Sequence, residues 1–381
     1  MSDELLRQTN EILSIELAKL PATPIVFACF VYEKFASNFF TCPEESIEVS
    51  GDFPTLKPFN SDEQSLMEYM FHTNSTELGC LTTVPALTVL AFLVMLMRAF
   101  KAWFKPKMCD FGRRIAVRKH GLQWEKDNEE RIMKFGEYCF RLLFHSCMSC
   151  YGLYFLGGKP WWDNFRAGAT GTRHIWLGYP FQVIEPSMQW YYLIQASYNF
   201  EEVLFLLYIS FQFDFKNMKI SFAKTVRGDF REMMTHHIVT NCLIFLSSHY
   251  RFTIIGSMIF MIHDISDVPV DMSKLANFVK AKTLTIICFI TLLVFWLGCR
   301  LIVFPFVIFR SIWTESALIM NTSSLGGVNY LCLRLLFSSL IGSLILLHVY
   351  WFFLLIRILL VLAFKGETHD LSEHKDGEKQ D

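Results

Sequence analysis

Residues 283–309 read TLTIICFITLLVFWLGCRLIVFPFVIF, with Arg300 as the one charge in the run. A bilayer core about 30 Å thick needs roughly 20 apolar residues as helix. The run is therefore long enough to span with room to tilt. Working outward, Leu331–Phe364 is longer still, overlong for one upright span. Toward the N-terminus come a short pair, Thr235–Ser248 and Phe252–Ile262 with extensions, then Trp190–Phe213, Phe135–Leu156 and Leu81–Phe100. The fourth and fifth of these seven are short, polar and individually weak, so the count is seven with six possible. The expected fold class is an all-α polytopic membrane protein.

Composition agrees. Apolar residues make up 52% of the 381, charged residues only 19%, and there are 38 phenylalanines; mean hydropathy is +0.32. A soluble chain this apolar would expose large greasy patches. An ordinary cytosolic enzyme, a nucleic-acid binder and a disordered scaffold are thereby excluded. The net charge of -1 carries no information about partners. The eleven cysteines are scattered, many within apolar runs, and do not read as a disulfide framework. Cys147 and Cys150 form a C-x-x-C inside a span, where redox chemistry is not expected.

Orientation follows from charge. Arg98 to Arg141 is dense in Lys and Arg, and the loop Asp214–Thr235 adds Lys216, Lys219, Lys224, Arg227 and Arg231. The positive-inside rule places both in the cytosol, hence an N-terminus in the lumen and a C-terminus in the cytosol. The sequons at Asn74 and Asn321 then fall on the luminal side as glycosylation candidates. The expected organisation is a luminal segment over 1–79, a first span with a basic linker over 80–133, a bundle over 134–364 and an acidic tail over 365–381. The apolar stretch Pro24–Phe40 carries Glu33 and Lys34 and reads as interfacial or folded luminal structure. It has no basic region ahead of it, so a cleaved signal peptide is not expected.

Ionisable groups at bilayer depth are expensive and mark function by default. One region concentrates them. His236 and His237 open the fourth span, and His263-Asp264-Ile265-Ser266-Asp267 closes the fifth. His263 and Asp267 share a helix face at i, i+4, and Asp264 and Asp267 stand at i, i+3. His236, Thr240 and Ser247 form one stripe; His237, Asn241 and Ser248 form the next. A turn near His249-Tyr250-Arg251 makes the two helices antiparallel and returns His263-Asp264 to the membrane side where His236 begins. Imidazole is the natural general base near neutral pH. A carboxylate on its other nitrogen fixes the tautomer, and a second imidazole can act as a nucleophile. Two other readings stay open. One is a buried polar network that only holds two helices together. The other is a zinc or iron site, against which stands a single histidine box plus one histidine. His145 and His348, mid-span, are read as polar contacts between helices. Pro160-Trp161-Trp162-Asp163 and Trp190-Tyr191-Tyr192 match interfacial aromatic belts.

The stretch from Asp229 to Phe278 resembles the ceramide synthases of the TLC superfamily. The likeness rests on Asp229-Phe230-x-Glu232, His236-His237, Thr240, Leu243, Ser247, Gly256, His263-Asp264-x-Ser266-Asp267 and Lys274. Flanking signatures are Lys134-Phe135-x-Glu137, Pro160-Trp161, Gly178-Tyr179-Pro180, Trp190-Tyr191-Tyr192 and Arg300 to Pro305. It covers about Lys134 to Trp313. Ile254 stands where the family usually has Arg, Asp271 where it has Glu, Phe278 where it has Tyr, and Asp214–Val226 looks inserted. Too few residues separate spans one and two for a homeobox domain. The resemblance implies a six-helix TLC bundle around a lipid-accessible cavity. It also implies N-acylation of a sphingoid base by a fatty acyl-CoA in the endoplasmic reticulum membrane, with no cofactor and acyl-CoA as co-substrate. His236, His237, His263, Asp264 and Asp267 would be catalytic. Arg227 and Arg231 would meet the CoA phosphates, and Thr240, Asn241, Ser247 and Ser266 would line the substrate. Membrane lipids are the remaining expected partner, nucleic acid is not, and homo- or hetero-dimerisation is left open. The rival is a non-enzymatic TLC protein that binds lipid or serves a translocon.

Overall fold

The computed structural model describes residues 81, 83–156, 159, 171–177, 179, 182, 184–214, 219–222, 229–319 and 330–365. The segment over 1–79 expected to be luminal, both sequon asparagines, Arg227, Pro160-Trp161 and the acidic tail beyond 365 lie outside them.

Seven helices of membrane-crossing length follow one another among the described residues. α1 is Val84–His120 and is joined through short α2, Leu122–Asp127, to α3, Glu129–Leu156. A 3-10 turn at Gly171–Trp176 precedes α4, Pro186–Ser210. α5 is Phe230–His249 and α6 is Thr253–Phe278. α7, Lys282–Phe295, continues as π-helix over Trp296–Phe309 and Ser311–Glu315 into short α8, Ser316–Ile319. α9, Tyr330–Lys365, completes the bundle. The chain is an all-α polytopic membrane protein.

Length and composition alone qualify four of these as spans: α1, α6, the α7 helix through Glu315, and α9. The other three, of 28, 25 and 20 residues, are long enough but carry charge. On α3 and α4 part of that charge is folded inward. Lys101 of α1 lies within 2.7 Å of Glu137 on α3, 3.3 Å of Glu201 and 2.8 Å of Glu202 on α4, and is almost wholly buried. Three helices share one ionic knot, so the hydropathy of each alone understates its membrane character. α1 and α9, at about 55 Å by helical rise, exceed the bilayer and leave much of their apolar flank outward. α6 is the central helix, with most of its residues buried, and packs most extensively on α3 and α7.

Several expected boundaries change. Of the short pair, the fifth qualifies as a span by length and composition and the fourth does not. A tight turn at Tyr250–Phe252, with Arg251 at φ 59°, joins them, and Arg251 is held by donating to the Gln182 carbonyl at 2.8 Å. α6 then runs past Ile262 and through Pro269 to Phe278. His263 to Asp267 therefore lie mid-helix instead of closing it. The third span stops at Ser210 rather than Phe213. Phe211–Asp214 and Lys219–Phe222 form an antiparallel hairpin, registered Phe211 to Phe222 and Asp214 to Lys219. Both segments alternate apolar and polar residues, the period of a strand. The stretch that reads as an insertion is thus partly this hairpin.

The π-helix has a local cause. Pro305 lacks an N–H and cannot complete the α-helical ladder. Such widened turns gather at functional sites, and this one contains Arg300.

Candidate active site

The helices enclose a cavity of about 610 Å³, inside the ordinary range of small-molecule sites, about 300–1,000 Å³. Its lining divides along the bundle. At the end where α5 begins it gathers Arg141, Glu202, Asp229, Lys274 and Asn277 beside Leu355 and Ile358; toward the α5–α6 turn it becomes mainly apolar, with Phe252, Ile255, Ile312, Phe337 and Ile341 beside Ser316, Tyr330 and Arg334. The histidines stand between these zones. By helical rise, His236 on α5 lies about 20 Å from the α5–α6 turn and His263 on α6 about 16 Å. Antiparallel pairing of the two helices therefore brings them nearly level.

On the His263 flank the rings cluster. The His263 and His348 centroids are 5.0 Å apart, His236 and His348 6.4 Å, and His236 and His237 5.5 Å. Phe304 stands edge-on to His263 at 5.0 Å, and Trp351 to His236 at 5.3 Å. His236 Nδ1, His263 Nε2 and both nitrogens of fully buried His348 have no hydrogen-bond partner among the described residues. His263 uses its other nitrogen, Nδ1, to donate to the Ile259 carbonyl at 2.7 Å. Unpaired buried nitrogens cost stability unless something else meets them, and the cavity is where a substrate could.

The expected pairing of His263 with Asp264 or Asp267 is not made. Consecutive residues on a helix diverge by about 100°, so Asp264 turns to α3 and α4. There it meets His145 Nδ1 at 3.1 Å, accepts from the Tyr191 hydroxyl at 3.2 Å, and accepts from the Gln195 amide. Asp267 shares the cavity with His263 but accepts from Arg300 at 2.6 Å. Arg300 also donates to Ser266 Oγ at 2.8 Å and stacks over Trp296 at 4.3 Å.

The other expected site residues divide. Thr240 and Ser247 line the cavity; Ser247 shares a 2.6 Å hydrogen bond with the Tyr192 hydroxyl. Asn241 does not line it and donates to the His237 carbonyl at 2.8 Å. Ser266 is buried under Arg300, away from the cavity. Arg231 is exposed at the start of α5 and lines nothing. Each correction has the same cause: helical spacing assigns a stripe, and only packing decides which stripe meets the cavity. Ile254 lies in the apolar core at the far end of α6, Asp271 faces Arg141 at 3.4 Å, and Phe278 packs on Phe135 at 4.5 Å. His145 and His348 do contact other helices, as expected, but they also belong to this site. Arg300 is the site residue that sequence reasoning misses, although a lone charge in an apolar run is signal enough. Among the described residues no group of three or more His, Cys, Asp or Glu is arranged to hold a metal ion.

Residues 134–357 match the TLC domain, and this span takes in the whole lining of the cavity except Ile358. The chain belongs to the TLC-domain family. Within it, the chain is 28% identical to ASC1-like protein 1 of Oryza sativa subsp. japonica over 274 residues, 71% of this chain and 82% of that protein. It is 31% identical to ceramide synthase 5 of Homo sapiens over 244 residues, 64% of this chain and 54% of the human protein. It is 28% identical to ceramide synthase LOH1 of Arabidopsis thaliana over 254 residues, 65% of this chain and 74% of that protein.

Proposed function

We propose that the protein is a sphingoid base N-acyltransferase. It joins the acyl group of a fatty acyl-CoA to the amine of a sphingoid base and releases a (dihydro)ceramide. The observation that carries this reading is the pair of imidazole nitrogens, His236 Nδ1 and His263 Nε2, that have no partner among the described residues and belong to rings lining one cavity where its polar and mainly apolar parts meet. Both substrates are long apolar chains with polar heads. The apolar zone suits the chains, and the reacting heads would meet at the histidines. The names of the relatives support the same reading.

In this mechanism His236 or His237 either serves as general base or first takes the acyl group as an acyl-imidazole. His263 lines the reacting centre, and Arg300 holds Asp267 and the α6 backbone in place. The CoA phosphates would sit at the polar end, near Lys274 and Arg141, with Arg231 outside the cavity. The positive-inside bias favours that end as cytosolic, where acyl-CoA arrives, with the N-terminus luminal and the endoplasmic reticulum as the membrane.

The test is incubation of the purified protein in lipid with sphinganine and a panel of acyl-CoAs, with N-acyl product read by mass spectrometry. Product from the wild type is expected. Folded protein that yields none with any acyl-CoA would overturn the reading in favour of a non-enzymatic lipid-binding role.

A further inference from the structure

We infer that His145, held by Asp264, is a second base of this site and takes the proton from the substrate ammonium. The inference rests on the acyltransferase reading.

The argument begins with Asp264. It is 3% exposed, and three donors converge on it: His145, Tyr191 and Gln195. A carboxylate so placed acts as acceptor, so the proton of the neutral His145 ring lies on Nδ1 and Nε2 is left basic. Nε2 lies 3.4 Å from the Tyr198 hydroxyl, and both His145 and Tyr198 line the cavity. An imidazole whose far nitrogen is fixed by a buried carboxylate is the geometry of a general base.

The charges around the ring point the same way. The other carboxylates near it have cations: Asp267 has Arg300 at 2.6 Å, Asp271 has Arg141 at 3.4 Å, and Glu202 of α4 has Lys101 at 2.8 Å. The three groups on Asp264 are all neutral when His145 is neutral. Its charge is thus free to stabilise an imidazolium as one forms. His236 and His263 make no hydrogen bond to a carboxylate among the described residues.

The chemistry needs two proton acceptors. A sphingoid amine is largely ammonium at neutral pH and cannot attack a carbonyl. His145 Nε2 takes one proton and frees the nitrogen lone pair. The nitrogen then bonds to the acyl carbon, the C–S bond breaks, and the second N–H proton goes to the departing CoA sulfur by way of the His236–His237 side. His145 returns its proton to solvent. Amide, CoA thiol and one proton are the products.

The experiment compares wild type with His145→Gln on sphinganine and on a sphinganine analogue whose amine is replaced by an aminooxy group, uncharged at neutral pH. The variant is expected to lose about 10²–10⁴-fold on sphinganine and to keep wild-type acylation of the analogue within a few-fold. Its deficit on sphinganine should shrink as pH rises and the free amine becomes abundant. Asp264→Asn should repeat the pattern, because it removes the charge that stabilises the imidazolium and its amide NH2 can donate to Nδ1 and favour the wrong tautomer. Equal loss on both nucleophiles, or a deficit on sphinganine that pH does not relieve, would overturn the inference and leave His145 a structural contact. No loss on sphinganine would overturn it as well. A wild type that acylates neither nucleophile would sink the acyltransferase reading, and the inference with it.

Discussion

Two flanks of α6 differ by one residue and share almost nothing. On one, His263 stands among His236, His348 and Phe304, with nitrogens that the protein leaves unpartnered. On the other, Asp264 has three donors and lies almost wholly buried. The first flank is costly until something binds. The second is satisfied by the protein's own donors and holds its ring in one orientation. On the acyltransferase reading the contrast would be a division of labour: the open flank would handle the acyl group, and the closed flank would keep a base aligned for the amine.

The largest effect should come from the open flank. The double variant His236→Ala/His237→Ala is expected to lose at least 10²–10⁴-fold in N-acylation while its thermal unfolding stays close to that of wild type. Retained turnover in that variant would remove the chemistry from this flank and break the comparison at its root.

Next is the ion pair that fastens α6 to the π-helix. Arg300 is 4% exposed, and removing one partner of such a pair strands a buried charge at a cost of about 3–5 kcal/mol. Asp267→Ala should therefore lower thermal stability markedly, and Asp267→Asn/Arg300→Met should recover part of the loss. If the single and double variants were equally unstable, Arg300 would not depend on Asp267, and the two flanks would be held by something other than this pair.

Gly256 sharpens the comparison at the apolar end. A Cβ there would land on the Tyr192 hydroxyl, which bonds Ser247 at 2.6 Å. Gly256→Ala is expected to cost about 1–3 kcal/mol by overpacking, measured by denaturation in detergent. Adding Tyr192→Phe should relieve part of the clash, because the ring carbon Cζ would still lie 2.9 Å from the added methyl. No relief would mean that α4 cannot approach α6 as closely as the site requires.

The sequence made the helices legible because the apolar runs match the bilayer so directly. The run at 331–364 appears as a helix nearly to the residue, and the one at 283–309 starts within one residue of its helix, which then continues to Ile319. The histidine cluster was legible too, since ionisable groups at that depth are scarce. Its wiring was not. Helical spacing put His263 and Asp267 on one face and suggested a pair, whereas Asp267 went to Arg300 and Asp264 to His145, residues 33 and 119 positions away. Hydrogen-bond partners from distant segments leave no periodic trace. The hairpin at Phe211–Phe222 had such a trace, an alternating pattern, and was hidden only because the apolar run of α4 leads straight into it.

The smallest effect belongs to a face that serves neither flank. Cys147 and Cys150 are free thiols, both exposed on α3, while His145 and Met148 of the same helix turn inward. Cys147→Ser/Cys150→Ser should change stability by no more than about 0.5 kcal/mol, the usual range for surface substitutions, and should leave N-acylation and its response to reductant unchanged. The inward ring at His145 and the outward thiols are separated by only two to five positions. A measurable loss in the cysteine variant would therefore mean that the outer face of α3 is coupled to the Asp264 flank, and that the satisfied flank is less rigid than its hydrogen bonds imply.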